Sequence, residues 1–149
     1  MENLIPLIFV ILPTMIDLLA DTNILIYAME KGSVFYPSAK SILISSHYNI
    51  FITSKNISEF FAVASKQKFD LQNSLDFFKE IRANAKVLFP SEISLLIFET
   101  LIQQYQPKGN QVYDIEIVSI MMAHHIKYIA TFNHKDSKNI QEIQILDIG

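Results

Sequence analysis

Short β-branched and apolar segments alternate with amphipathic helical segments along this chain, and that alternation constrains the fold more than any other feature. Apolar residues at helical spacing predict helices at 24–29, 37–46, 55–67, 71–81, 92–105 and 113–125. Candidate strands lie at 16–20, 48–53, 86–89, 127–132 and 143–146. Such alternation predicts an α/β layer with a mostly parallel sheet, and right-handed crossovers place helices on both of its faces.

Local signals fix several of these helices more closely. Asp70 and Ser91 stand where helix N-caps are expected. The helix after Asp70 is predicted to turn one apolar face to the core, formed by Leu71, Leu75, Phe78 and Ile81. The segment 113–125 is apolar nearly all round, which predicts a buried helix.

Composition narrows the function classes. The chain has 149 residues, half of them apolar, no cysteine and a formal net charge of −3. These values fit one folded domain and exclude a disulfide scaffold, a thiolate metal site and a cysteine nucleophile. Tight nucleic-acid binding by bulk charge is not expected, although a local basic patch stays open. Six cations could line an entry for a polyanion, but a solvated face is the simpler expectation for them: Lys55, Lys66, Lys68, Arg82, Lys86 and Lys108. The Tyr and Phe residues fall at core spacings and are expected to pack rather than to stack on bases.

The N-terminus carries an apolar run, residues 4–16, which Pro6 and Pro13 interrupt. The run is too short to span a membrane and lacks the basic residues of a signal peptide. We therefore place residues 1–14 outside the fold as an extension and the domain at 15–149, without an integral membrane segment. A translation start at Met15 is the favoured interpretation. An appendage packed on the domain or on a partner, or a weak membrane-surface anchor, are the alternatives.

Four acidic residues stand just after predicted strands or early in predicted helices, Asp114 among them at the opening of the buried helix after the Gly109 loop. They are Asp21, Glu59, Asp114 and Asp136. In a parallel sheet, ligands bind beyond the carboxyl ends of the strands. Short hydrogen-bonding side chains accompany the acids: Thr22, Asn23, Thr131 and Asn133.

Each acid also has a simpler interpretation. Asp21 could only cap the helix after it, and Glu59 beside an apolar stripe could only be solvated. Asp114 near a helix N-terminus is favoured by the helix dipole, and Asp136 suits a polar turn. Glu116, two positions beyond Asp114, is expected to point elsewhere and to be solvated, or to serve as an accessory acid.

Taken together, the four acids predict a site for a hard divalent cation. Clustered carboxylates repel one another unless a cation neutralises them, and oxygen ligands of this kind suit Mg²⁺ or Mn²⁺. Such an ion would polarise a phosphodiester and activate water. It would also supply the positive charge that an acidic protein lacks for meeting phosphate.

The chain resembles the PIN domain family, and within it the VapC-like toxin ribonucleases of type II toxin–antitoxin pairs. The resemblance covers residues 15–148 in the family's order. Its matching pieces are LLADTNILIYA at 18–28, ITSKNISEFFAV at 52–63, GNQVYDIEIVSIMMAHHI at 109–126 and YIATFNHKD at 128–136.

The resemblance implies a three-layer α/β/α fold and a cytoplasmic, Mg²⁺- or Mn²⁺-dependent endoribonuclease. Asp21, Glu59 and Asp114 would be the core metal-binding acids, with Asp136 as the fourth. The residues that orient acids, water or phosphate would be Thr22, Asn23, Thr131 and Asn133. Partners would be an RNA substrate, a small antitoxin and a second copy of the chain.

Three alternatives remain at this point. A housekeeping RNA-processing nuclease would share the same chemistry, and a neighbouring antitoxin gene would separate it from a toxin. A catalytically silent PIN-like binding module would have no need of four acids. A flavodoxin-like regulatory module is disfavoured because the chain has no glycine-rich phosphate loop.

Overall fold

The computed structural model describes residues 14–134 and 139–148, and within them six helices and five strands alternate. The strands are β1 (Ile16–Ala20), β2 (Tyr48–Thr53), β3 (Lys86–Leu88), β4 (Tyr128–Ala130) and β5 (Gln144–Leu146). The helices are α1 (Thr22–Met29), α2 (Tyr36–Ile44), α3 (Ser54–Lys66), α4 (Leu71–Asn84), α5 (Glu92–Tyr105) and α6 (Gln111–Ala123).

All five strands are parallel and lie in the order β3-β2-β1-β4-β5. The central strand, β1, pairs with β2 from Ile16 opposite Tyr48 and with β4 up to Ala20 opposite Ala130. The strand order changes direction at β1, so the connections from β1 and β4 leave on opposite sides. That is the position at which open α/β sheets form their ligand crevice.

Apolar side chains cover both faces of the sheet. Leu18 and Ala20 belong to one buried cluster and Leu19 to the other, because successive strand residues point to opposite faces. All three are fully buried, which contributes about 1.5–3 kcal/mol for each leucine. Residues of α1–α4 pack on the first face and residues of α5 and α6 on the second. The predicted three-layer α/β/α architecture is confirmed.

Helix boundaries follow the predicted caps closely. The Asp70 carboxylate accepts a hydrogen bond from the Asn73 amide, and the Ser91 hydroxyl accepts one from the Ser94 amide. The helix predicted from Tyr113 begins two residues earlier, at Gln111, and its middle is buried as expected. The fourth strand is shorter than predicted and ends at Ala130. The residues after it form a loop in which the Asn133 amide donates to the Thr131 hydroxyl.

One predicted face is partly wrong. Leu71 was expected in the core, but it is 67% exposed at the first position of α4. Phe77 packs against the core cluster instead, together with Phe78 and Ile81. The helix therefore presents a face rotated slightly from the one that the four-residue spacing predicted.

The N-terminal predictions concern residues that are almost all outside the described part. Residues 1–13 lie beyond it, so the favoured start at Met15 and the alternative roles of the extension remain predictions. Within the described ranges, no helix has the length and apolar character needed to cross a membrane.

Candidate active site

Three neighbouring strands bring the predicted polar residues to one edge of the sheet. Asp21 follows β1, Thr53 ends β2 and Thr131 follows β4. The backbone amide of Asp21 donates to the Ala130 carbonyl at 3.0 Å, which fixes the end of β1 beside the end of β4. A cavity of about 270 Å³ opens here, lined by Asp21, Thr22, Asn23, Ile26, Tyr27, Glu59, Val63, Gln67, Asp114 and Asn133.

Both carboxylate oxygens of Asp21 accept hydrogen bonds. Oδ1 accepts from the Thr22 amide at 2.8 Å and from the Asn56 side chain at 3.4 Å, and Oδ2 accepts from the Thr131 hydroxyl at 2.9 Å. Asp21 is thus the N-cap of α1, as the simpler interpretation held, and it also lines the cavity. The two roles are compatible because a carboxylate has about four acceptor sites.

The Thr131 hydroxyl joins three segments of the site. It donates to Asp21 at 2.9 Å. It accepts from the Asn23 side chain and from the Asn133 amide, both at 3.0 Å. One donor and two acceptor sites are all that a hydroxyl offers, so the group is saturated. Thr131 is fully buried, and this fixes its rotamer and the orientation of the Asp21 carboxylate.

Asn56 belongs to the site, although it was not among the predicted residues. Its side-chain oxygen accepts from the amide and hydroxyl of Thr53, and its side-chain nitrogen donates to Thr22 Oγ1 at 3.1 Å and to Asp21. The residue is fully buried. The sequence carried a signal for it, since Thr53 and Asn56 have the spacing of a capping box, which the structure contains.

Glu59 points into the cavity and is not simply solvated. Its Oε2 accepts from the Thr22 hydroxyl at 3.0 Å, which links α3 to α1. Burial raises the pKa of the half-buried Glu59 carboxyl, and the negative charges of Asp21 and Glu116 raise it further. The hydrogen bond from Thr22 and the charge of Lys55 lower the pKa, but burial has the larger effect.

Asp114 lies in the first turn of α6 and lines the same cavity. Glu116 was expected to point elsewhere, yet its charge raises the pKa of Glu59. Glu116 is not among the residues that line the cavity, and its two expected roles, a solvated side chain and an accessory acid, stay predictions. Asp136 lies outside the described residues, so its predicted place as the fourth acid rests on the sequence alone.

The donor chemistry of this edge suits a hard cation. The atoms that it offers to an ion are carboxylate oxygens, and the pKa of Glu59 is raised chiefly by burial and further by the charge of Asp21. Among the described residues, no three acidic or histidine side chains form a ready-made metal cage. Mg²⁺ does not need one, because it keeps several waters and binds through one or two carboxylates. The residues present fit an ion of that kind.

A larger cavity of about 830 Å³ lies elsewhere, between α1, α2 and α4. Its lining mixes apolar side chains such as Met29, Ile50 and Phe77 with polar and charged ones, and it includes Tyr36 and Lys40. None of the predicted acids lines it. Size alone therefore does not identify the candidate site; the convergence of acidic side chains does.

Comparison with known proteins agrees with this geometry. The family model described as the PIN domain matches residues 18–141, and the chain belongs to that family. Its members are generally nucleases that use divalent metals. No curated protein matches the sequence significantly.

Several solved structures share the fold. VapBC from Salmonella typhimurium, solved with DNA, superposes with a TM-score of 0.68 at 19% identity and covers 91% of this chain and 100% of its own. VapBC2 from Rickettsia felis, bound to a promoter DNA fragment, superposes with a TM-score of 0.66 at 23% identity, and the match covers 89% of this chain and 100% of its own. VapC20 from Mycobacterium tuberculosis is described as a toxin cleaving the sarcin-ricin loop. It superposes with a TM-score of 0.66 at 14% sequence identity, and the match covers 85% of this chain and 98% of its own.

Proposed function

We propose that this chain is a metal-dependent endoribonuclease that hydrolyses RNA phosphodiester bonds, and that it is the toxin of a toxin–antitoxin pair. The observation that carries the proposal is the convergence of Asp21, Glu59 and Asp114 on one cavity at the carboxyl edge of the sheet. Membership of a family of nucleases supports the reaction class. The RNA-cleaving VapC20 toxin among the structures of the same fold favours RNA over DNA as substrate.

Asp21 is the fixed acid of this site. Its carboxylate is held by Thr22, Asn56 and Thr131, so its orientation is set before substrate arrives. Such preorganisation avoids reorganisation during the reaction. We assign Asn23 and Thr131 to orienting Asp21, and Asn133, which is exposed at the cavity, to substrate or water.

Glu59 and Asp114 complete the acidic lining. Thr22 orients Glu59, and α6 contributes Asp114 from its first turn. Together with Asp21 these residues would hold Mg²⁺ or Mn²⁺, and Asp136 is assigned as the fourth acid from the sequence resemblance. When bound, such an ion polarises the phosphodiester and lowers the pKa of water. Without a cation, the same carboxylates repel a phosphate.

Titration of the protein with Mn²⁺ tests the metal assignment. The native protein is expected to bind the ion, and the double variant Asp21→Asn with Asp114→Asn is expected not to. Asp17→Asn with Asp76→Asn, which removes two exposed carboxylates elsewhere, is the matched control. Undiminished Mn²⁺ binding by the Asp21/Asp114 double variant would contradict the assignment.

The toxin assignment rests on the similarity in fold to VapBC complexes, in which a toxin of this fold is bound to its antitoxin. It predicts that expression of this chain in a bacterial cytoplasm arrests growth with fragmentation of RNA. The Asp21→Asn variant should permit growth, and co-expression of a small antitoxin from an adjoining gene should restore it. Normal growth with active enzyme present would favour a housekeeping nuclease.

We also propose that the chain dimerises. Ile93 and Leu96 are 63% and 64% exposed on one face of α5, and Phe89 just before the helix is similarly exposed. Large apolar side chains grouped on one exposed face are typical of an interface. The family resemblance implies a second copy of the chain as a partner, and we assign that copy to this face.

A further inference from the structure

Lys55 and Tyr113 form a cation–π pair beside the acidic cavity. The Lys55 Nζ atom lies 3.9 Å from the centroid of the Tyr113 ring. Lys55 is the second residue of α3, the helix that carries Glu59, and Tyr113 directly precedes Asp114 on α6. The pair therefore connects the two helices that supply acids to the site.

Both members are available to a ligand at this edge. Tyr113 is 46% exposed, unlike the aromatic residues of the core, so the expectation that aromatic residues only pack fails here. Lys55 precedes Glu59 by four residues on α3, so the two side chains lie on the same face of that helix one turn apart, and the Lys55 charge lowers the pKa of Glu59. A cation and an exposed ring thus stand beside two acids that line the cavity, one turn from Glu59 and next to Asp114, although neither residue is itself part of the lining.

These two groups match the two parts of a nucleotide. Aromatic rings bind nucleobases by stacking without strong sequence preference, and lysine ammonium groups bind phosphate as point charges. We propose that Tyr113 and Lys55 form the subsite for the nucleotide next to the scissile phosphate, with the base stacked on Tyr113 and the phosphate contacted by Lys55. This inference rests on the proposed ribonuclease function.

The subsite defines the substrate more narrowly than RNA. A base inside a duplex has both faces covered by its neighbours, so only an unpaired base can stack on Tyr113. We therefore expect single-stranded segments, such as loops, to be bound and cut in preference to paired ones. Sequence preference from this contact is expected to be weak.

The chain contains a matched control pair. Lys40 Nζ lies 5.6 Å from the centroid of the Tyr36 ring, so the same two residue types form the same kind of contact. That pair lines the large cavity between α1, α2 and α4, whose lining contains none of Asp21, Glu59 and Asp114. Equivalent substitutions in the two pairs separate a local effect from a general loss of charge or aromatic surface.

RNA binding by the Asp21→Asn protein with Mg²⁺ present tests the subsite with cleavage suppressed, because this variant is expected to cleave RNA more than about 100-fold more slowly. The probes are a fluorescent unstructured 12-nucleotide RNA and a 12-unit abasic oligomer, followed by anisotropy. Tyr113→Ala should weaken RNA binding about tenfold and leave the abasic oligomer unaffected, since stacking contributes about 5- to 150-fold per base. Tyr113→Phe should restore RNA binding to within about twofold.

Lys55→Gln should weaken binding of both oligomers and reduce the slope of log affinity against log salt by about 0.7, which is one single-strand phosphate contact. Tyr36→Ala and Lys40→Gln should change neither affinity nor slope. Thermal melts of each variant check that it is folded.

Four results would overturn the subsite. They are the absence of RNA binding, an equal loss of RNA affinity in Tyr36→Ala and Tyr113→Ala, an unchanged slope of log affinity against log salt in Lys55→Gln, and weaker binding of the abasic oligomer by Tyr113→Ala. Cleavage by the native protein with Mn²⁺ is measured in parallel. Absence of cleavage with the binding pattern intact would count against the proposed function alone. Cleavage without that pattern would count against the subsite alone.

Discussion

Thr131 and Asp21 lie 110 positions apart in the chain, yet the Thr131 hydroxyl donates to Asp21 Oδ2 at 2.9 Å. The same hydroxyl accepts from Asn23 and from the Asn133 amide, so it ties the loop after β4 to the start of α1. A buried hydroxyl with all its partners made is a rigid support. The orientation of the central acid therefore depends on a residue that carries no charge.

Replacing Thr131 by valine keeps the shape of the side chain and removes that support. The buried partners then lose their hydrogen bonds, and the free energy of unfolding should fall by about 1–3 kcal/mol. RNA cleavage should fall as well, because Asp21 and the loop are no longer held. Urea unfolding and cleavage rates measure the two effects.

Thr100→Val is the matched control, since the exposed Thr100 hydroxyl donates only to the Leu96 carbonyl within α5. It should change stability by less than about 0.5 kcal/mol. Equal losses in the two variants would show that Thr131 has no special role in the site.

Glu59→Gln should stabilise the metal-free protein above acidic pH while reducing cleavage. The pKa of Glu59 is raised above its ordinary value of 4.5 in the folded state, chiefly by burial. The folded state then binds more protons than the unfolded state, so stability falls as pH rises from the ordinary pKa through the raised one. Glutamine has no charge and escapes this loss.

Urea unfolding in EDTA from pH 3.5 to 8 measures the difference between Glu59→Gln and the native protein. It should be smallest at the acidic end, grow through the window above 4.5 and then stay constant. Glu99→Gln, an exposed change on α5, is the control and should follow the native protein. A difference that shrinks as pH rises would contradict the assigned burial effect.

Leu96→Asp should convert the proposed dimer to a monomer. Leu96 and Ile93 are exposed on the same face of α5, and a charge there would have to be desolvated in an interface. Sedimentation at about 10 μM should show roughly half the native mass for the variant, with an unchanged circular dichroism spectrum. Leu71→Asp is the control, because Leu71 is 67% exposed on α4 and should leave the mass unchanged.

A native protein that already sediments as a monomer would contradict the dimer. A dimer that Leu96→Asp leaves intact would place the interface elsewhere. Either result leaves the assignment of the acidic site untouched, because that site lies within one chain.

Sequence reasoning reached the fold because the strand and helix signals are local. Ser91 and Asp70 cap the helices that they were expected to cap, and β2 has the predicted bounds. Leu71 shows the limit of periodicity. The spacing of the apolar residues predicts roughly which face of α4 is buried. The packing of Phe77 against the core then decides which residues at the border of that face are covered.

The site was harder to predict, because its buried polar contacts join distant segments. Asp21 and Glu59 were expected from their places after β1 and β2, and Asp114 from its place at the start of a buried helix; all three line one cavity. Asn56 was missed because an asparagine at the start of a helix looks like a surface residue. Only the folded arrangement shows that it bonds across to Thr22 and Asp21.

Cleavage of a mixed, structured RNA pool by the purified protein tests the central claim most directly. The native protein and Asp17→Asn, which changes an exposed aspartate on β1, should cut RNA with Mn²⁺ and stop in EDTA. Asp21→Asn should lose more than about 100-fold of the activity, beyond the upper end for residues that only support a ligand. Cleavage that persists in EDTA, or that Asp21→Asn leaves equal to Asp17→Asn, would contradict a metal-dependent nuclease built on Asp21.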